Sequence, residues 1–318
     1  MALAAVYITG ISRIELREPV SPTLPVGGEM LLITSSAEIG ILSSVESRQL
    51  IRALLPMDGQ EARFLLSIGC VGIFACVLEF LQGSAPTAKV LVLETPAARV
   101  QLMLDAAKIG AGADGFVAQD VAYIVRLSRQ PCYGSLMIHY CAILSREVSL
   151  TGTNRLASRL TTCISHVLTH YPETRIVSFE NCSAWSRHLK VAVNSSATQG
   201  SRIDCQRWLP SVECDHRHFM TARPLMDIEA YGDVLKHSPL LLFCLGAGGR
   251  IGLLLVSRGS RAPLPMTMPK GMPYDCPTPP LAQFTTRQSS APTVLYCQPE
   301  YYGRDHFYFR WRLTHDYL

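Results

Sequence analysis

The sequence predicts an α/β protein built around buried sheets, and three observations carry that prediction. Apolar runs of strand length, such as Lys89-Val90-Leu91-Val92-Leu93, show no polar alternation, as strands covered on both faces do. Such runs alternate with stretches of helical period. The clearest is Asn154 to His170, where Leu156, Leu160, Ile164 and Val167 share a face. Finally, 318 residues, of which 48% are hydrophobic and 17% charged, supply a substantial core for one large or two medium domains.

Taken in order, Ala5 to Ile8 and Met30 to Ile33 read as strands, Ser47 to Leu55 as a helix and Arg63 to Leu66 as a strand. Phe74 to Leu81 is apolar on nearly every face, which predicts a buried helix. The Lys89 strand follows. Asp120 to Leu127 and Ser135 to Leu144 are longer strands, then comes the Asn154 helix. Arg175 to Phe179 is a strand and Ala184 to Val193 a helix. Leu240 to Leu245 and Arg250 to Ser257 are strands joined by Gly246-Ala247-Gly248-Gly249, which reads as a tight turn. That loop lacks the Lys and Ser/Thr of a phosphate loop, and a strand follows it. Arg261 to Pro292 is proline-rich without periodicity and reads as an extended linker. Beyond it lies an aromatic-rich end with a candidate strand at His306 to Leu313.

The chemistry-bearing feature is Cys70, in Ser67-Ile68-Gly69-Cys70-Val71-Gly72-Ile73, at the head of the buried helix. A helix N-terminus offers unpaired N–H groups and partial positive charge, and both favour thiolate. The flanking glycines let the backbone turn sharply and a substrate approach. The plain alternative is a small core residue, since free cysteine is among the most buried types.

The remaining totals exclude classes. A net charge of +4 without a Lys/Arg block gives no case for nucleic acid. No apolar run is long enough to span a membrane. Eleven cysteines without paired spacing, and a start lacking a signal-peptide pattern, point to reduced thiols in a cytoplasm. Cys205, Cys214, His216 and His218 form no metal-ligand spacing strong enough to be read as zinc, so no metal is expected. The low charge suits an oligomer that hides part of the surface.

The order of these elements resembles the thiolase fold, specifically the β-ketoacyl-acyl-carrier-protein synthase III branch of condensing enzymes. Cys70-Val71-Gly72-Ile73 is similar to the nucleophile elbow of that family, with Ile for Phe. Gln119-Asp120-Val121-Ala122 stands in place of a Gly-Asp-Gly-Ala stretch, and Gly246 through Arg258 matches the closing Gly-rich loop and strand. The resemblance spans roughly Ala4 to Arg258. It implies two pseudo-repeated halves, 1–130 carrying Cys70 and 131–258, with an irregular tail over 259–318. The first half is abridged, because the stretch from Val20 to Glu29 is too short for the helices usual there.

It further implies a protein of fatty-acid or secondary-metabolite biosynthesis that takes an acyl group from coenzyme A or an acyl carrier protein onto Cys70. No tightly bound cofactor is implied, and the backbone amides of Cys70, Ala247 and Gly248 would hold the oxyanion. The family's enolate-stabilising His and Asn positions correspond to Phe179 and Met220, neither of which donates a hydrogen bond. Asn181, Glu180, His216 and His218 are the nearby polar candidates to assist Cys70, with His218 and Asn181 foremost. Acyl transfer is therefore expected rather than decarboxylative condensation. The alternative is a non-catalytic subunit paired with an active homologue.

Overall fold

The computed structural model describes residues 5–14, 29–35, 62–66, 69–94, 117–145, 152–178, 207–212, 217–246, 250–258, 294–301 and 307–314. The expected helices at 47–55 and 184–193, and the linker at 261–292, lie outside them.

The strands are β1 (Val6–Arg13), β2 (Met30–Ser35), β3 (Ala62–Leu66), β4 (Thr87–Glu94), β5 (Val117–Ala118), β6 (Val121–Ser128), β7 (Leu136–Ser145), β8 (Arg175–Val177), β9 (Trp208–Leu209), β10 (Arg217–His218), β11 (Leu240–Gly246), β12 (Arg250–Ser257), β13 (Val294–Tyr301) and β14 (Phe307–Thr314). The helices are α1 (Gly72–Gln82), α2 (Gly152–His170) and α3 (Arg223–Ala230).

One sheet runs β3-β2-β4-β6-β1-β7-β12-β11-β8-β9. Its order is a palindrome of one repeated unit. In the first half β2 pairs in parallel with β3 and β4, β4 pairs antiparallel with β6, and β6 antiparallel with β1. In the second half β8 pairs in parallel with β9 and β11, β11 antiparallel with β12, and β12 antiparallel with β7. The halves join through a short antiparallel seam, Val6↔Ile138, Tyr7↔Met137 and Ile8↔Leu136. In both halves three of these sheet strands precede the equivalent helix, α1 or α3, and two follow it. The link between first and second strands covers residues 14–29 in one half and 146–174 in the other, where it holds the 19-residue α2. The first half is the shorter version.

Core packing follows the apolar pattern. Ile73, Phe74, Cys76, Val77, Phe80 and Leu81 of α1 are buried among Leu32, Val90 and Val92 of one half and Leu242, Cys244, Leu254 and Val256 of the other. A helix enclosed by both halves has no polar face to offer, which explains its composition. Gly252 makes room for it, since a Cβ there would stand 2.4 Å from the Phe74 ring. The Arg129 guanidinium caps its far end, donating to Phe80 O and Gly83 O and lying over the Phe80 ring. On the opposite face of the second half, Leu241, Phe243, Leu253 and Leu255 pack under Leu160, Ile164 and Val167 of α2.

The register shifts between Leu255 and Val256, so His139 of β7 is the extra residue of a bulge. Its Nε2 lies 2.6 Å from Ser257 Oγ and its Nδ1 2.9 Å from the Tyr171 hydroxyl, tying the end of α2 to the sheet. At the C-terminal end, β13 and β14 pair antiparallel as a sheet of their own. β14 matches the expected strand; β13 was not expected.

Candidate functional site

The chain leaves β3 and enters α1 through a 3-10 turn, Gly69–Val71, which carries Cys70. The strand brings Cys70 to the sheet's end, and the buried helix holds it there. Gly72 opens α1 because two threonine hydroxyls converge on it. A Cβ there would meet Thr34 Oγ1 at 2.1 Å and Thr221 Oγ1 at 2.9 Å. Cys70 is 7% exposed, at the rim of the core rather than in its centre.

The second half presents the equivalent turn directly opposite. Before α3 the chain makes a 3-10 turn over Met220–Ala222. The Cys70 thiol donates to the Met220 thioether, Sγ to Sδ 3.9 Å. The first turn of a helix has N–H groups without partners inside it. One of these, Ile73 N–H, is accepted by the Thr221 hydroxyl at 2.9 Å. The two halves are therefore clasped beside Cys70.

Met220 has φ +51°, the one positive φ at a non-glycine among the described residues. The left-handed region costs an L-residue with a Cβ about 1–2 kcal/mol, and such strain persists only where surrounding contacts over-determine it. Here they do. The Cys244 thiol donates to Met220 O at 3.6 Å, and Glu94 Oε1, at the end of β4, accepts Thr221 N–H at 3.3 Å. Two residues further, Arg223 donates to Phe243 O and Ser178 O, each at 2.6 Å, and to Ser211 Oγ at 3.0 Å. Its Nε is 3.2 Å from Asp227 Oδ2, both side chains fully buried, while Asp227 Oδ1 accepts Val212 N–H. Removing one partner of a buried ion pair would leave the other charge uncompensated.

Two further core thiols lie on α1 and β7. Burial pushes Cys76 and Cys141 far above the usual thiol range; at Cys76 the charge of Glu79 adds to this and a hydrogen bond with Thr34 opposes it. These are inert packing groups. Cys70, Cys76, Cys132, Cys141, Cys163 and Cys244 are free thiols.

Of the residues singled out in the sequence, Cys70 and Met220 are brought into contact. His218 lies in β10, whose backbone pairs in parallel with Ala118 of β5 just before the Met220 turn; its side chain lies outside the described set. Phe179, Glu180, Asn181, His216, Ala247 and Gly248 also lie outside it. The loop containing Ala247 and Gly248 joins β11 to β12, paired from Leu240↔Val256 to Gly246↔Arg250. Among the described residues no three His, Cys, Asp or Glu side chains gather to hold a metal ion, and no helix is long and apolar enough to cross a membrane. Glu94, Thr221 and Arg223 were missed by sequence reasoning. Only Glu94 carried a visible signal, a carboxyl closing an apolar strand.

The palindromic sheet, with a cysteine-headed buried helix in one half and its counterpart in the other, is the thiolase-type fold of condensing enzymes. Solved structures similar to the chain agree. Cerulenin-bound OleA of Xanthomonas campestris matches with TM-score 0.52 at 13% identity over 81% of this chain and 100% of that one. The acyltransferase ChlB3 matches with TM-score 0.50 at 15% identity over 75% and 79%. A variant of the same OleA gives TM-score 0.50 at 13% identity over 73% and 76%. At these identities the likeness is one of fold. No family model and no curated protein matches the sequence.

Proposed function

We propose that the chain is an acyl-thioester-dependent acyltransferase of fatty-acid-type or secondary-metabolite biosynthesis, loaded on Cys70. The observation that carries this reading is the position of Cys70: the core's rim, at a helix head, where the first turns of two equivalent helices meet. In the loading step Cys70 Sγ, as thiolate, attacks the thioester carbonyl of an acyl-coenzyme A or acyl carrier protein. A new C–S bond forms to Cys70, the old one breaks, and the pantetheine thiol leaves with a proton. The oxyanion would be held by the N–H of Cys70 with those of Ala247 and Gly248, and His218 and Asn181 would assist proton movement. Decarboxylative condensation is not part of the reading. Met220 presents a thioether to the reacting sulfur, and a thioether donates nothing to an enolate oxygen. Residues 1–130 and 131–258 would act as the two halves of one catalytic unit, with 259–318 appended. A cytoplasmic homodimer, or a heterodimer with a homologue, completes the proposal.

A second reading has its own support. Met220 Sδ lies against Cys70 Sγ, which suits a non-catalytic partner of an active homologue. Intact-mass spectrometry after incubation with acyl-coenzyme A or acyl carrier protein separates the two. The transferase reading expects an acyl adduct that Cys70→Ala abolishes. Absence of any adduct, with co-purification of an active homologue, establishes the partner role instead.

A further inference from the structure

We infer that Met220 is the gate of the site, a mobile thioether on an immobile backbone, which must leave Cys70 before an acyl group can arrive and which limits how bulky that group can be. The size-selection part rests on the acyl-transfer reading; the gating part does not. A carbonyl carbon poised for attack sits about 3–3.5 Å from its nucleophile. Met220 Sδ, at 3.9 Å from Cys70 Sγ, leaves no room for a carbon atom between the two sulfurs and so blocks approach from its own side. The turn beneath it cannot yield. Met220 O, Thr221 N–H, the Thr221 hydroxyl and the Arg223 guanidinium are each engaged, by Cys244, Glu94, Ile73 and the carbonyls of Phe243 and Ser178. The side chain can yield, because methionine is unbranched and has three rotatable bonds.

Chemistry at the gate follows from its neighbours. Val71, Phe74 and Phe219 join Cys70 and Met220 in one apolar cluster. An acyl chain passing a rotated thioether within that cluster must be apolar and slim near its carbonyl. Straight-chain thioesters therefore load in preference to those branched at the carbon next to the carbonyl.

The test compares the full chain with Met220→Ala and Met220→Leu. Iodoacetamide alkylation is followed by mass spectrometry at Cys70, with Cys76 and Cys141 as internal controls for general loosening. Removing the gate is expected to speed alkylation of Cys70 by about tenfold or more, while Met220→Leu, equal in volume but branched, slows it. Loading by butanoyl-coenzyme A is then compared with 2-methylpropanoyl-coenzyme A. The native chain is expected to prefer the straight acyl group by about tenfold, and Met220→Ala to lose that preference. The gate is overturned if Met220→Ala leaves Cys70 alkylation within about twofold of native, or if Cys76 and Cys141 accelerate in step with it. If Cys70 alkylates faster in Met220→Ala but neither thioester loads, the gate on the thiol stands; the acyl-transfer reading and the size selection built on it fall.

Discussion

After β3 the chain turns through Gly69–Val71 into α1; in the second half it turns through Met220–Ala222 into α3. Both turns are 3-10, both head a helix, and they meet across the pseudo-twofold. The first is relaxed, with Val71 at φ −95° and a glycine giving passage to two hydroxyls. The second is strained at Met220 and gripped by Glu94, Cys244 and Ile73, with Arg223 anchored beside it. One copy presents the Cys70 thiol and the other fixes what faces it. A duplicated architecture allows that division, because each turn is held by its own strands while its contents diverge.

The comparison can be broken most severely at the second turn's anchor. Arg223→Met leaves the Asp227 carboxylate buried without its counter-charge and is expected to cost about 3–5 kcal/mol in denaturant unfolding. The double variant Arg223→Met/Asp227→Leu removes both charges and is expected to recover most of it. If both variants lose equally, packing rather than charge pairing holds that turn.

The first turn is probed through its helix. Gly252→Ala pushes a methyl into the Phe74 ring and should lower stability by about 3 kcal/mol, the upper part of the overpacking range, measured by urea midpoint. An unchanged midpoint would mean that α1 shifts freely and does not position Cys70. The clasp between the turns is tested by Thr221→Val, which orphans Ile73 N–H and is expected to cost about 1–2 kcal/mol, with Thr221→Ser restoring it.

The smallest effect concerns α2. Partial burial, with the neighbouring His170 charge, holds His166 below the usual histidine value. The unfolded chain therefore binds the proton more readily. This contribution is intact above the unfolded pKa of about 6.5 and is lost as pH falls through it toward the lower folded value. A shallow decline in thermal midpoint on acidification, flattened in His166→Asn, is the expected result; the ring's exposure keeps it to a few tenths of a kcal/mol at most.

Much of this fold was legible where strands are buried on both faces. Lys89 to Leu93 announced β4, and Arg250 to Ser257 matched β12 end for end. The palindrome was not legible from residues alone. β2 and β8 are equivalent, yet MLLITS and RIV share no pattern, because strand pairing fixes topology through backbone groups common to all residues. α3 was missed: its Arg223 and Asp227 are charged residues that are buried here through their ion pair together with hydrogen bonds to Phe243 O, Ser178 O, Ser211 Oγ and Val212 N–H. β13 contains Pro299, which argues against a strand, and its place in a two-stranded sheet is what tolerates it. In the site, Cys70 stood out through its glycines and buried helix. Met220 was located by resemblance, but nothing in the residue type foretold its backbone angle, since methionine is not a residue that seeks positive φ.

The seam between the halves deserves a mechanical reading. β1 and β7 share three paired residues, whereas β7 and β12 share eight. Ladder bonds resist tension in proportion to their number, so a pull separating the halves would open the Val6–Ile8 seam before the longer β7–β12 ladder. Across this seam α1 packs against both halves and is pinned at its head. Hydrogen exchange that is fast along β1–β7 but slow in α1 would be the signature of two plates joined by a bolt rather than by a weld.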